Sequence, residues 1–201
     1  MLSDHAPPGG PLYLASASPR RRELLTQIAV PTRVIPSDID ERILPGESPL
    51  AYVERVTRDK ARAGIGKAPD GAVILAADTT VVVDNAILGK PADREQGLAM
   101  LAGLSGRAHS VITSVAVCRG DSLRQRSVMT QVWFRSLTRA EMSAYWDTGE
   151  PADKAGGYAI QGIGAIFIER IEGSYSAVVG LPLMETAALL SEYGISCWQA
   201  P

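Results

Sequence analysis

The sequence predicts an α/β fold with mixed α+β character: a twisted mixed sheet with flanking helices, with a cleft between two lobes as the natural site. Three observations lead there. Short apolar runs of strand length recur along the chain, amphipathic helical stretches separate most of them, and some strands follow one another without a helix between. The last point argues against a purely parallel sheet.

The first eleven residues, with Pro7, Pro8, Gly9, Gly10 and Pro11, read as a flexible tail without the plan of a signal peptide. Residues 12–201 read as one domain. Leu12 to Ala15 is a short buried strand, and Ser16-Ala17-Ser18 turns the chain into a helix with Ser18 as cap and Pro19 at its first position. That helix runs to about Ile28 and buries Leu24, Leu25 and Ile28. A strand near Thr32 to Ile35 leads into an acidic loop, Ser37 to Glu41. The next helix starts at Ser48-Pro49 and continues to about Ala63, with Leu50, Val53, Val56 and Thr57 as its apolar stripe. Lys60 falls on the same face, an unusual place for a lysine.

Ala72 to Val83 is the strongest strand, interrupted by Asp78, Thr79 and Thr80. A turn at Asn85 leads through Ile87 and Leu88 to Gly89-Lys90-Pro91, and a helix spans about Asp93 to Leu104. Ser110 to Val117 and Ser127 to Arg135 are the next strands. Thr138 and Glu141 form a capping box that opens a further helix. After a polar loop from Thr148 to Gly157, short strands are expected around Tyr158 to Ile160 and Ala165 to Ile171. A last helix covers about Leu183 to Tyr193, ending at Gly194.

Composition narrows the function. A chain of 201 residues, 46% apolar and 21% charged, can bury a core without disulfides or a structural metal. Cys118 and Cys197 have no CxxC spacing and no partner histidine nearby, which argues against a zinc site and fits a reducing cytoplasm. With a formal charge of −2 and basic residues scattered among acids, there is no case for a nucleic-acid partner. No apolar run approaches the ~20 residues needed to span a bilayer. A soluble, cytoplasmic protein is expected. His5 and His109 lack any triad or ligand context, and no nucleophile elbow is present.

Several polar residues stand where they could do chemistry. A strand feeding the turn Ser16-Ala17-Ser18 into a helix N-terminus offers free backbone N–H groups to phosphate oxygens, and Ser16, Ser18, Arg20, Arg21 and Arg22 add donors. Arginines in a first turn oppose the helix dipole, a conflict that an anionic ligand would remove. An ordinary capped helix with solvated arginines is the alternative. Asp38, Asp40 and Glu41 lie together in a loop, while Asp78 sits inside an apolar strand and must be paired, metal-bound or at a cleft edge. Magnesium-type cations bind through one or two carboxylates plus substrate phosphates. A purely structural pair of Asp78 with Lys60 or Lys90 stays open. Gly149 to Gly162 is rich in special residues, and Gln161 can offer donor and acceptor to a base edge.

These motifs resemble the Maf-like nucleotide pyrophosphatases. The likeness begins with Leu12-Tyr13-Leu14-Ala15-Ser16-Ala17-Ser18-Pro19-Arg20-Arg21-Arg22-Glu23-Leu24-Leu25. It continues through Lys60-Ala61, Ala77-Asp78-Thr79, Gly89-Lys90-Pro91 and Leu104-Ser105-Gly106 to Asp153-Lys154-Ala155-Gly156-Gly157-Tyr158. Ile160-Gln161-Gly162, Gly173-Ser174-Tyr175 and Val178-Val179-Gly180-Leu181-Pro182 complete it, so it covers Leu12 to about Tyr193.

The resemblance implies a Maf/ITPase-like fold with a deep cleft, a cytoplasmic protein and a homodimer. It also implies divalent-metal-dependent hydrolysis (Mg or Mn) of a nucleoside triphosphate to monophosphate and pyrophosphate. Carried over position by position, Asp78 is the general base. Ser16, Arg20, Arg21, Lys60 and Lys90 surround the phosphates, and Glu41 lies near the metal with Asp78. Arg21, Thr79 and Gln161 match positions tied to base selectivity. Asp78-Thr79 with Ile160-Gln161-Gly162 matches the branch associated with dTTP and UTP, and with modified pyrimidine nucleotides. The branch that favours 7-methyl-GTP tends to carry Asp-Gln and lacks the Gln-Gly. Thr80 and Ala177 depart from the family's usual aliphatic residue and Asn. The competing class is a nucleotide-binding regulator of septum formation without useful catalysis.

Overall fold

The computed structural model describes residues 11–198. The tail expected over residues 1–11, His5 included, lies outside the described residues except for Pro11. The elements in chain order are β1 (Leu12–Leu14), α1 (Pro19–Gln27), β2 (Thr32–Val34), α2 (Pro49–Ile65), β3 (Val73–Val83), β4 (Ala86–Leu88) and α3 (Arg94–Leu104). They continue with β5 (Ala108–Arg119), β6 (Ser122–Phe134), α4 (Arg139–Asp147), β7 (Ile168–Glu172), α5 (Tyr175–Val179) and α6 (Leu183–Glu192).

The seven strands form one mixed sheet in the order β2-β1-β3-β5-β6-β7, with β4 also paired to β3. β1 runs parallel to β2 and to β3, and the other pairings are antiparallel. Strand alternation sorts the core by face. Leu12, Leu14, Val73, Leu75, Ala77, Val115 and Val117 pack with Leu24 and Leu25 of α1 and Leu189 and Leu190 of α6. Farther along this face, Val81, Val111, Val132 and Phe134 meet Leu101 and Leu104 of α3 and Tyr145 of α4. The opposite parity, Tyr13, Ile74, Ala76, Ala116 and Cys118, packs on Ala61 of α2, and Val82 and Ile112 pack on Val53 of the same helix.

The local signals behave as their chemistry requires. Ser48 accepts from the Ala51 N–H, Asp93 accepts from the Gln96 N–H, and Thr138 and Glu141 close their capping box. Both cysteines are free and buried. Among the described residues no helix is long and apolar enough to cross a membrane.

Several expectations need correction. Leu50 does not belong to the buried stripe of α2; it is 42% exposed, one turn before the sheet contact begins at Val53. Ser18 stands at the N-cap of α1 but makes no side-chain cap bond; its own N–H donates to Ser16 Oγ. No strand forms at Tyr158 to Ile160. That segment is buried, but the Ala159 N–H donates to the Tyr145 hydroxyl and the Ala159 carbonyl accepts from Gly162, which closes a turn. Residues Ile163–Phe167 wind into a 3₁₀ turn, so β7 begins only at Ile168. β5 is longer than expected at both ends, β6 starts earlier, at Ser122, and stops at Phe134, and the short helix α5 falls where no element is expected.

Candidate active site

The site originates in a gap along one edge of β3. That edge pairs with β1 from Val73 to Leu75 and with β4 from Val81 to Val83. Between them, among the described residues, no strand covers it, and Asp78, Thr79 and Thr80 fall there. Such a break in an otherwise buried sheet lets a cavity reach both faces. A cleft of about 590 Å³ opens at this point, within the range of small-molecule sites. Ser16, Arg20, Arg21, Glu41, Lys60, Asp78, Thr79, Lys90 and Gln161 all line it. The candidate phosphate, base-edge and metal residues therefore share one cleft, whereas Arg22 and Asp40 do not line it.

The turn after β1 supplies the first wall. Ser16 Oγ accepts from the Ser18 N–H at 3.2 Å and from Arg21 Nη1 at 3.1 Å, which leaves its own proton free to donate. Arg21 also donates through Nε to the Gly180 carbonyl at 2.8 Å and through Nη2 to Thr79 Oγ1 at 3.2 Å. One guanidinium thus ties α1, β3 and the end of α5 together. Burial lowers its pKa, and the charge of Asp78 works in the opposite direction. Thr79 is held from its other side by Thr113 Oγ1 at 3.0 Å, and Thr113 also reaches the carbonyl of Ala177 at 2.6 Å.

An acid–lysine cluster lines the same cleft. Lys60 Nζ sits 2.8 Å from Asp78 Oδ1 and 3.0 Å from Glu41 Oε1. Lys60 and Asp78 are only 8% and 7% exposed, so each requires the other to offset desolvation. Glu41 reaches the cluster because its loop is laced to α2. The Tyr52 hydroxyl donates to the Glu41 carbonyl at 3.1 Å, Arg55 grips Glu47 through Nε and Nη2 at 2.6 and 2.8 Å, and Arg55 also donates to the Arg42 carbonyl. Of the neighbouring acids, Asp40 pairs with Arg42 away from the cleft, and Asp38 lines the cleft while pairing with Lys67. Among the described residues no group of three or more acidic, histidine or cysteine side chains converges as a ready metal site.

The far wall is the segment from Gly149 to Gly164. It folds as two 3₁₀ turns, Glu150–Asp153 and Ala155–Gly157, followed by the Ala159–Gly162 turn. The Gly156 N–H donates to the Gly89 carbonyl at 3.0 Å, tying this wall to the loop that carries Lys90. Lys90 and Gln161 are both exposed at the cleft rim. Asp153 pairs with Lys154 and reaches Arg20 across the opening at 3.7 Å.

Sequence reasoning missed Tyr52, Thr113 and the residues of α5 that line or support the cleft. Tyr52 carries a detectable signal, since it lies two helical repeats of four before Lys60 on the same face of α2. Thr113 carries none; its partners come from elements far apart in sequence. His109 is buried with Nε2 2.7 Å from the Tyr158 hydroxyl, a structural placement behind the cleft wall.

The sequence model of the Maf-like protein family matches residues 11–193. A dTTP/UTP pyrophosphatase of Saccharophagus degradans is 52% identical over 191 residues, covering 94% of this chain and 91% of that protein. A second, from Pseudoalteromonas atlantica, is 51% identical and covers 92% and 98%. A third, from Yersinia pestis, is 50% identical and covers 90% and 92%. A solved structure, the Staphylococcus aureus Ham1 protein, aligns over 92% of this chain and 90% of its own at 13% identity and a TM-score of 0.45, too distant a likeness to carry an argument. With the family's sequence pattern spanning the sheet and every wall of the cleft, the chain belongs to the Maf-like proteins.

Proposed function

We propose that the protein is a metal-dependent nucleoside triphosphate pyrophosphatase that converts dTTP and UTP, and modified pyrimidine nucleotides of the same shape, to the monophosphate and pyrophosphate. The observation that carries this reading is the Lys60 ammonium held between the Asp78 and Glu41 carboxylates, in the same cleft as the Ser16–Arg21 turn and Lys90. Cations for a polyphosphate and a carboxylate for its hydrolysis share one cavity. The names borne by relatives at about half identity supply the choice of base.

In this reading the phosphates lie over the turn after β1. Ser16 donates its free proton to a phosphate oxygen, and Arg20, Arg21, Lys60 and Lys90 offset the charge that accumulates on the oxygens during phosphoryl transfer. Asp78 accepts the proton of the attacking water, and its Oδ1 contact with Lys60 leaves Oδ2 for that task. Thr79 orients Arg21, and Gln161 reads the base edge at the rim. By donor chemistry the Glu41 and Asp78 carboxylates, hard oxygen ligands, would hold a Mg²⁺ or Mn²⁺ ion. The chemistry such a cation would supply is polarisation of a phosphoryl oxygen and neutralisation of charge on the leaving group. A cytoplasmic homodimer is the setting that accompanies this proposal.

The test is a panel of canonical and modified nucleoside triphosphates assayed for pyrophosphate with Mg²⁺ or Mn²⁺ and again with chelator. Cation-dependent release from dTTP and UTP in preference to the rest is expected. Preference for 7-methyl-GTP would keep the chemistry and overturn the reading of Thr79 and Gln161. No release from any nucleotide would sink the proposal and favour a binding protein.

A further inference from the structure

Gln161 sits on a stretch with no strand or helix to hold it, yet a residue that discriminates bases by hydrogen bonding must be fixed in space. Two side chains supply the fixing. Tyr145, on α4, donates its hydroxyl proton to Glu150 Oε1 at 2.6 Å, and the same hydroxyl accepts from the Ala159 N–H at 3.1 Å. Glu150 Oε2 accepts from the Ile163 N–H at 2.9 Å, and Oε1 accepts from the Gly164 N–H at 3.0 Å. The backbone is therefore gripped on both sides of Gln161 by one hydroxyl and one carboxylate that are bonded to each other.

Three further observations show that the surroundings are built for this grip. A Cβ at Gly162 would overlap the Glu150 carboxylate, and one at Gly164 would lie 2.7 Å from the Tyr145 hydroxyl, so both positions need the room that glycine leaves. Tyr145 is 3% exposed and packs edge-on against Phe167 with ring centroids 4.9 Å apart. Burial pushes the Glu150 carboxyl up, but the bonds from Tyr145, Gly164 and Ile163 outweigh it and hold the pKa below the usual carboxylate value. The acceptor is thus charged at neutral pH, which strengthens each bond.

We propose that Glu150, acting with Tyr145, is a positioning residue for base recognition: the pair clamps the Ala159–Gly164 segment so that Gln161 presents its amide at one place in the cleft. The proposal rests on the reading of Gln161 as the base-edge residue. Neither clamp residue touches the substrate in this account. Pyrimidine preference is a property of the clamped loop and not of Gln161 alone.

The test compares kcat and KM for dTTP, UTP, CTP and GTP in the wild-type chain, Glu150→Gln, Tyr145→Phe, Gln161→Ala and the double variant Glu150→Gln/Gln161→Ala. Glu150→Gln keeps the shape but turns an amide N–H toward groups that are themselves donors. Tyr145→Phe removes one hydroxyl with little change in volume and decides the matter if the first variant folds poorly. Each clamp variant is expected to lower the preference for dTTP and UTP over CTP and GTP by about tenfold, through KM, with kcat little changed, the loss of one or two hydrogen bonds. The double variant should show no further loss beyond Gln161→Ala, because both changes remove the same discrimination. Equal losses of kcat for every nucleotide with the preference intact, or losses that multiply in the double variant, would overturn the clamp while leaving Gln161 in its role. An unchanged preference in Gln161→Ala would overturn the base-reading role and the clamp together.

Discussion

In the cleft, Lys60 and Asp78 project from the long helix α2 and the middle of β3, both less than a tenth exposed. Gln161, by contrast, stands exposed on a stretch without regular structure, whose flanking backbone is held by side-chain bonds at Ala159, Ile163 and Gly164. The difference follows from what each part must carry. A buried charge tolerates little displacement, because losing its partner leaves an uncompensated ion in a poor dielectric. Rigid elements that are already packed into the core meet that demand. A neutral amide at the rim has no such requirement, so a loop with a local clamp suffices and can change without disturbing the sheet. On the proposed roles, the chemistry sits on packed elements and Gln161 reads the base from a clamped loop, while Arg21 and Thr79 contribute to base choice from beside Asp78.

That contrast can be attacked from its heavier side first. Lys60→Met removes the cation between Asp78 and Glu41 and should lower turnover roughly a hundredfold or more for all nucleotides alike. It should also cost about 3 kcal/mol of stability, since Asp78 is left buried without its partner. Steady-state kinetics on several nucleotides with thermal unfolding checks both; a base-dependent loss would blur the division.

The part of the cleft lining formed by Tyr158, backed by His109, should respond to pH. Burial lowers the His109 pKa to about 4 from its ordinary 6.5, so between those values the unfolded chain binds more protons than the folded one. Stability from this group is then complete above about pH 6.5 and declines as pH falls toward 4, by up to roughly 3 kcal/mol in all. Unfolding curves across this window should show the decline, and His109→Gln should flatten it. An identical slope in that variant would place the sensitivity in other groups.

The smallest effect belongs to Gln161→Ala. It should leave stability within about 0.5 kcal/mol, as surface changes usually do. It should reduce the preference for dTTP and UTP over other bases by about tenfold. A large fall in melting temperature would show that the rim and the core are coupled after all.

Much of this was legible from residues alone, for identifiable reasons. The inward lysine of α2 follows from its phase with Val53, Val56 and Thr57, and the helix starts follow from Ser48, Asp93 and Thr138, because caps and periodicity are local. Asp78 declared itself as a carboxylate inside an apolar strand. What makes it accessible, the gap between β1 and β4 on one edge of β3, depends on pairing between segments distant in sequence and leaves no local trace. The strand expected at Tyr158 to Ile160 failed because apolar composition alone does not specify pairing, and here side chains of α4 and its following turn took the backbone bonds instead. For the same reason Glu150 reads as one polar residue in a polar loop, since the backbone groups it holds lie more than a dozen positions along the chain.

The most direct test of the account is Asp78→Asn, measured for pyrophosphate release from dTTP with Mg²⁺ and for dTTP binding by calorimetry. Loss of the general base predicts a fall in turnover of ~10²–10⁴ or more with nucleotide affinity largely kept and the base preference of the residual activity unchanged. Turnover near that of the wild-type chain would contradict the assignment of Asp78 and, with it, the contrast between chemistry on packed elements and base reading from a clamped loop.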